Sequence, residues 1–376
     1  MPADHKVGAS VVIVDDSPVQ RRFLRTALEA DPDFTVVGEA HNGREAVALV
    51  ARLRPTVVLM DLNLPVLSGI EAIERIMSEH PTPILVYSAF VAGAHSENAL
   101  EALAAGAVDI LAKPGLDDTG TREEYAEAVR RKLRVAVRVR VITHPRGRLR
   151  GQGMGVARPV PGAGSGRAPA VPPRKPLDGR TGPRGTVRLV VIGASTGGPQ
   201  ALLTLLGQLP VGLSQAVLVV QHIADGFIPG LASWLDALVP MPVLVGQTGR
   251  QLAPGTITLA PIGGNLLVLD KQLWVRCVPP EPGQFHLPGI DATFTSVAEA
   301  LGPDAVGVLL TGMGRDGAAG LLAMRQRGAL TFGQDEATSA VYGMPAAAFA
   351  LSAVERQLPL EDIAPAVLRA LGRTLA

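Results

Sequence analysis

Residues 9–18 read ASVVIVDDSP: six residues dominated by β-branched side chains, then two aspartates, a serine and a proline. A short continuous apolar run closed off in this way reads as a buried strand, here Ala9–Val14, and Pro18–Ala30 behind it carries a helical pattern. The same unit recurs outward along the chain. Val36–Glu39, Thr56–Met60, Ile84–Tyr87 and Val108–Leu111 read as further strands, and Gly43–Leu53, Gly69–Glu79, Asn98–Ala105 and Arg122–Val141 as helices. Strand and helix alternating five times predict an α/β unit on a parallel sheet. In such sheets ligands bind at the carboxyl ends of the strands.

Composition changes after Ile142. From His144 to Val187 the sequence is dominated by Gly, Pro and Arg, with Asp178 as its one acidic residue. A segment so poor in apolar side chains cannot offset the entropy of ordering, so residues 143–186 read as an extended basic linker. Its arginines serve solubility and self-repulsion, or else docking on an acidic partner. Residues 187–376 then repeat the α/β logic on a larger scale. Val187–Ile192, Gln215–Val220, Gly255–Ala260, Ala305–Leu310 and Ala329–Thr331 read as strands; Ala201–Leu209, Ile228–Leu238, Ala292–Leu301 and Gly317–Arg327 read as helices. Asn265–Val268 and Leu273–Arg276, broken by Asp270-Lys271-Gln272, predict a hairpin inserted in the sheet.

The whole-chain figures agree with two folded domains, 1–142 and 187–376, within 376 residues. The 47% hydrophobic content excludes a disordered chain, and 42 Gly with 31 Pro exclude a coiled coil. A net charge of +1 supplies no global field for nucleic acid or an anionic membrane. Cys277 alone cannot form an internal disulfide, which points to a reducing cytoplasm. No apolar run reaches the roughly 20 residues of a membrane helix, and MPADHKVGAS does not read as a signal peptide.

Asp15 and Asp16 end the first strand and Asp61 the third, with Ser88 and Lys113 ending the fourth and fifth. Taken singly, an aspartate after a strand is a helix cap. Carboxylates gathered on one edge repel unless a hard cation such as Mg2+ lies between them, and an ammonium and a hydroxyl beside them suit a transferring phosphoryl group. On that reading Asp61 is the nucleophile. The segments VVIVDDS, VVLMDLNLP, VYSA and ILAKP resemble those of response-regulator receiver domains over about residues 9–140. The resemblance implies a five-stranded, doubly wound, flavodoxin-like fold and phosphorylation of Asp61 by a histidine kinase. It also implies Mg2+ held by Asp16, Asp61 and the Asn63 carbonyl, with Asp15 in support and Ser88 and Lys113 sensing the phosphoryl group. The chain departs from that family at Ser68, where Asp is usual, and at Ile110, where an aromatic is common.

In the second half the first strand runs into Gly193-Ala194-Ser195-Thr196-Gly197-Gly198-Pro199. This turn fits an exposed serine nucleophile, a dinucleotide site, or a structural turn. His222 follows the next strand, and Asp316 follows Ala305–Leu310. Serine, histidine and aspartate from three strand ends can serve as nucleophile, base and orienting carboxylate. No acidic residue ends a strand about 20 residues after the turn, which weakens the dinucleotide reading. His286, in the Gly/Pro-rich FHLPGID, is expected to line the site or pack.

The segments VIGASTGGP, VVQHI, APGTITLAPIGGN, PGID, LLTGMGRDGAAGL and QDEATSAVYGMP are similar to the catalytic domain of chemotaxis methylesterases over about residues 187–373. The similarity implies a doubly wound, mostly parallel α/β methylesterase domain with Ser195 as nucleophile, His222 as base and Asp316 as its orienter. Thr196 and Met313 then supply oxyanion N–H groups, and the esterase site needs no cofactor. It further implies hydrolysis of glutamyl methyl esters and deamidation of glutamines on chemoreceptors, in a cytoplasmic protein recruited to receptor arrays. Departures fall at Ala224, Asn265 and Gly289, where the family usually has Pro, His and Ser. A phospho-regulated adaptor that binds receptors without turnover is the competing reading, and a nucleotide-binding α/β domain a weaker one.

Overall fold

The computed structural model describes residues 8–89, 94–113, 121–139, 187–223, 226–261, 263–280 and 287–372. The linker 143–186, Ala224 and His286 lie outside these residues. The first domain runs β1 (Ala9–Val14), α1 (Pro18–Glu29), β2 (Phe34–Ala40), α2 (Gly43–Leu53), β3 (Val57–Met60), α3 (Gly69–Glu79), β4 (Ile84–Ala89), α4 (Ala94–Ala104), β5 (Asp109–Lys113) and α5 (Arg122–Ala136). The five strands form one parallel sheet in the order β2-β1-β3-β4-β5.

Side-chain alternation along β1 explains the two helical layers. Val11 and Ile13 pack with Leu24, Leu28, Val129 and Leu133 from α1 and α5. Val12 and Val14 face the other way, into the layer of Ala46, Val50, Ile73 and Ile76 from α2 and α3. These strand residues are at most 1% exposed; removing such a side chain from water is worth about 1.5–3 kcal/mol. Strand order reverses beside β1, so the loops after β1 and β3 open side by side. Ser68 explains itself locally: it caps α3 in a reciprocal capping box with Glu71.

The second domain runs β6 (Leu189–Ala194), α6 (Gly198–Leu206), β7 (Ala216–Gln221), α7 (Phe227–Asp236), β8 (Val243–Val245), β9 (Arg250–Gln251), β10 (Ile257–Leu259), β11 (Asn265–Val268), β12 (Trp274–Val278), α8 (Ile290–Leu301), β13 (Ala305–Leu309), α9 (Ala318–Gln326), β14 (Leu330–Gln334), α10 (Met344–Ala350), β15 (Arg356–Leu358) and α11 (Leu360–Ala370). Seven strands form a parallel sheet in the order β15-β14-β13-β6-β7-β10-β8. The expected hairpin is present as β11 and β12, but it joins β9 in a separate antiparallel sheet instead of entering the parallel one. Its apolar face, Leu266, Val268 and Val275, shares a buried cluster with Phe294 and Val297 of α8, which explains the separation.

Among the described residues no helix is long and apolar enough to cross a membrane.

Candidate active site and phosphorylation site

The adjacent strands β13, β6 and β7 end at one edge of the seven-stranded sheet, and they deliver the three predicted groups. Leu309 pairs with Gly193 and Ala194 with Gln221, so the turns holding Ser195, His222 and Asp316 emerge together. The Ser195 N–H donates to the Thr311 carbonyl at 3.0 Å, and the His222 N–H to the Ala194 carbonyl at 3.0 Å. Glycine is required where the turn tightens. Gly197 has φ +75, in the left-handed region, and a Cβ on Gly198 would lie 2.1 Å from Gln221 Oε1.

His222 Nε2 lies 2.8 Å from Asp316 Oδ2. The same oxygen accepts from the Ile290 N–H at 2.9 Å, while Oδ1 accepts from the N–H groups of Asp291 at 2.9 Å and Gly317 at 3.0 Å. Burial opposes the charge on Asp316. The bonds from His222 and the backbone outweigh it and hold the carboxyl below its usual range. An ionised Asp316 can only accept a hydrogen bond from Nε2–H, which leaves the lone pair of a neutral ring on Nδ1.

Thr196 and Met313 lie where the sequence places them, one just after Ser195 and the other on the loop after β13. Met313 follows Gly312, where a Cβ would sit 2.7 Å from that of Ser195. Met313 itself is 44% exposed, an apolar side chain at the mouth of the site.

Three residues with no role in the sequence reading help to build this edge. Gln221 is buried, and its Nε2 donates to the carbonyls of Ser195 at 2.9 Å and His222 at 2.7 Å, tying both turns together. Thr311 Oγ1 donates to the Thr196 carbonyl at 3.0 Å. Asp109 comes from the other domain: its Oδ2 accepts from Thr196 Oγ1 at 3.0 Å and from Lys132 Nζ at 2.6 Å. A buried glutamine directly before the histidine was the one available signal for Gln221. Nothing local marks Asp109, because its partner is 87 residues away.

In the first domain, ligating oxygens of Asp15, Asp16 and Asp61 lie within 4.8 Å of one another. Asp15 and Asp61 are buried and Asp16 is exposed. Lys113 Nζ reaches both Asp15 Oδ2 and Asp61 Oδ2 at 2.7 Å. Burial works against the Lys113 charge, but those two bonds prevail and raise it above its ordinary range. Burial is also the main cause that raises Asp15, with the charge of Asp61 adding to it. Asp61 Oδ1 accepts from the Leu62 N–H at 2.7 Å and faces the Asn63 N–H at 3.5 Å. Ser88 is 7% exposed and is the next-to-last residue of β4, paired with Ala112. Hard oxygen donors this close fit a divalent cation, which the charge of a single lysine only partly replaces.

The two domains meet at the Ser195–Thr196 edge of the seven-stranded sheet. Besides the Asp109–Thr196 bond, Gln200 Nε2 donates to the Leu103 carbonyl, and α4 packs against α6 and α7.

Comparison with known proteins covers both halves. A family model described as CheB methylesterase matches residues 190–367, and one described as response regulator receiver domain matches residues 11–121. A protein-glutamate methylesterase/protein-glutamine glutaminase from Paramagnetospirillum magneticum is 41% identical over 375 residues, covering 100% of this chain and 99% of that one. Another from Caulobacter vibrioides is 40% identical over 360 residues, covering 95% of this chain and 96% of that one. The solved methylesterase catalytic domain of Thermotoga maritima CheB is 29% identical over 49% of this chain and 98% of its own, with a TM-score of 0.47. With relatives of this identity matching along their full length, the chain belongs to the family of protein-glutamate methylesterases/protein-glutamine glutaminases, a receiver domain followed by a CheB methylesterase domain.

Proposed function

We propose that the chain is a phosphorylation-activated serine hydrolase that demethylates glutamyl methyl esters, and deamidates selected glutamines, on chemoreceptors. The observation that carries this reading is the His222–Asp316 pair, 2.8 Å apart on the sheet edge that also presents Ser195. Ser195 Oγ attacks the side-chain carbonyl carbon as His222 takes its proton. The backbone N–H groups of Thr196 and Met313 hold the developing oxyanion; loss of one such donor typically costs about 3–4 kcal/mol of transition-state stabilisation. The C–O or C–N bond then breaks, and His222 returns the proton to the leaving methanol or ammonia. Water, activated by His222, cleaves the acyl-enzyme and releases glutamate and Ser195. Asp316 keeps the ring in the tautomer this cycle needs.

Asp61 takes the phosphoryl group from a histidine kinase. Asp16, Asp61 and the Asn63 carbonyl, with Asp15 in support, would hold Mg2+, which when bound would supply the positive charge that a transferring phosphoryl group needs. Lys113 and Ser88 sense the product. Until then the receiver restrains the esterase edge through Asp109 and α4. The protein works in the cytoplasm at receptor arrays.

The test is a paired measurement on the full chain. Asp61→Asn abolishes labelling by a small phosphodonor and holds esterase turnover on methylated receptor membranes at its basal level. Stoichiometric labelling of the Asn variant removes Asp61 from its role. A chain that binds those membranes but releases no methanol is an adaptor, and the hydrolase reading ends there.

A further inference from the structure

Asp291 has no part in the chemistry above, yet it is built into the support of Asp316. It is the second residue of α8, and its side chain leaves that helix. Its Oδ1 accepts from the Gly320 N–H at 2.6 Å, in the first turn of α9. Asp316, just before α9, does the reverse for α8, accepting from the N–H groups of Ile290 and Asp291. Each helix therefore has N-terminal donors satisfied by a carboxylate from the start of the other.

Close approach makes the exchange possible, and it depends on glycine. A Cβ on Gly320 would lie 2.8 Å from the Asp291 carbonyl oxygen and 3.0 Å from its Cα. A Cβ on Gly317, at φ +88, would lie 2.7 Å from Ile290 Cγ2. Backbone stands in the way at the first position, so the two helix starts cannot shift independently. Burial, followed by the charge of Asp316, pushes the Asp291 carboxyl above its usual range, so the two carboxyls are held together against their repulsion.

We propose that Asp291 is a positioning residue for the triad: by pinning the start of α9 to that of α8, it fixes the Asp316 carboxylate in the orientation that gives Oδ2 to His222. The inference rests on the Ser195–His222–Asp316 reading. It assigns Asp291 no contact with substrate.

The experiment measures kcat and KM on methylated receptor membranes for full-length chains treated alike with a small phosphodonor. Asp291→Ala removes the acceptor for Gly320 and lowers kcat by about tenfold or more, the scale of a slightly misplaced catalytic group, with KM within about twofold. Asp291→Asn keeps an acceptor at the same place and retains kcat within about threefold. Asp291→Glu keeps the charge but moves the carboxylate by one methylene, and loses kcat as Ala does. Folded fraction is read from thermal melts, and should Ala fail to fold, the Asn and Glu variants carry the comparison. Wild-type kcat in a folded Asp291→Ala, or in Asp291→Glu, overturns the proposal; so does an Asn variant as impaired as Ala. Ser195→Ala and Asp316→Ala, run alongside, separate the two readings. If both stay active the triad is wrong, and if both are dead while Asp291→Ala is normal only the positioning role fails.

Discussion

His222 offers two ring nitrogens, and Asp316 engages Nε2 at 2.8 Å. A base whose tautomer is set this way works as a unit with its nucleophile, so losses within the unit do not add. Ser195→Ala and His222→Ala are therefore expected to lose turnover comparably, by about a thousandfold or more, and the double variant to be little worse than either. His286→Ala is expected to keep measurable turnover with its effect mainly on KM. Steady-state rates on methylated receptor membranes check both. Near-normal kcat in His222→Ala, with loss in His286→Ala, would reverse the assignment of the base. Ser195 and His222 were legible in the sequence as candidates because each directly follows a strand, and Asp316 because it lies on the loop after β13; parallel strands of one sheet open their carboxyl ends to one side. Gln221, Asp291 and Asp109 were not legible as functional. Their positions come from a neighbouring turn, a crossed helix pair and a second domain.

The N-terminus of α8 is where two departures from the family pattern meet. Asn265, on β11, is 2% exposed, and its Oδ1 accepts from the Gly289 N–H at 2.7 Å. Gly289 caps α8, whose next two N–H groups hold Asp316. The hairpin thus steadies the helix end that holds the Asp316 carboxylate. Asn265→Ala leaves a buried N–H without its acceptor, at a cost of about 1–3 kcal/mol. The expected outcome is a lower melting temperature together with a lower kcat, while Asn265→Asp, which retains an acceptor, falls closer to wild type in both. A variant with wild-type melting and turnover would separate the hairpin from the site. Long periodic elements such as α2 and α3 were readable to the residue, since a hydrophobic stripe and a cap define each end. Strands β8, β9 and β15 span only two or three residues and α10 only seven, too short to display a period. The hairpin's true sheet depended on the unread β9.

Across the whole molecule, β5 joins the two sites. Lys113 at its carboxyl end touches Asp61, and Asp109 at its amino end holds Thr196 of the esterase domain. Four residue steps of strand separate them, about 13 Å, so a change around Asp61 has a short rigid path to the other domain. Lys132 at 2.6 Å and the Ile110 N–H at 2.8 Å hold Asp109 as well, so breaking the contact leaves the carboxylate with a cation and a backbone donor. Hydrogen bonds to a charged group are worth about 1.5–3 kcal/mol, and each 1.4 kcal/mol is tenfold in an equilibrium. One such bond cannot account for complete closure, but it can set much of the basal rate. Asp109→Ala is expected to raise turnover without phosphodonor by about tenfold, and to shrink the further gain on phosphorylation by a similar factor. Asp61 labelling should stay intact, because the acceptor site is at the other end of the strand. Thr196→Val removes the same bond from the esterase side, keeps the backbone N–H, and should reproduce the rise. If both variants keep wild-type basal turnover while labelling normally, the restraint lies in the packing of α4 on α6 and α7, and the polar bond across the interface is incidental.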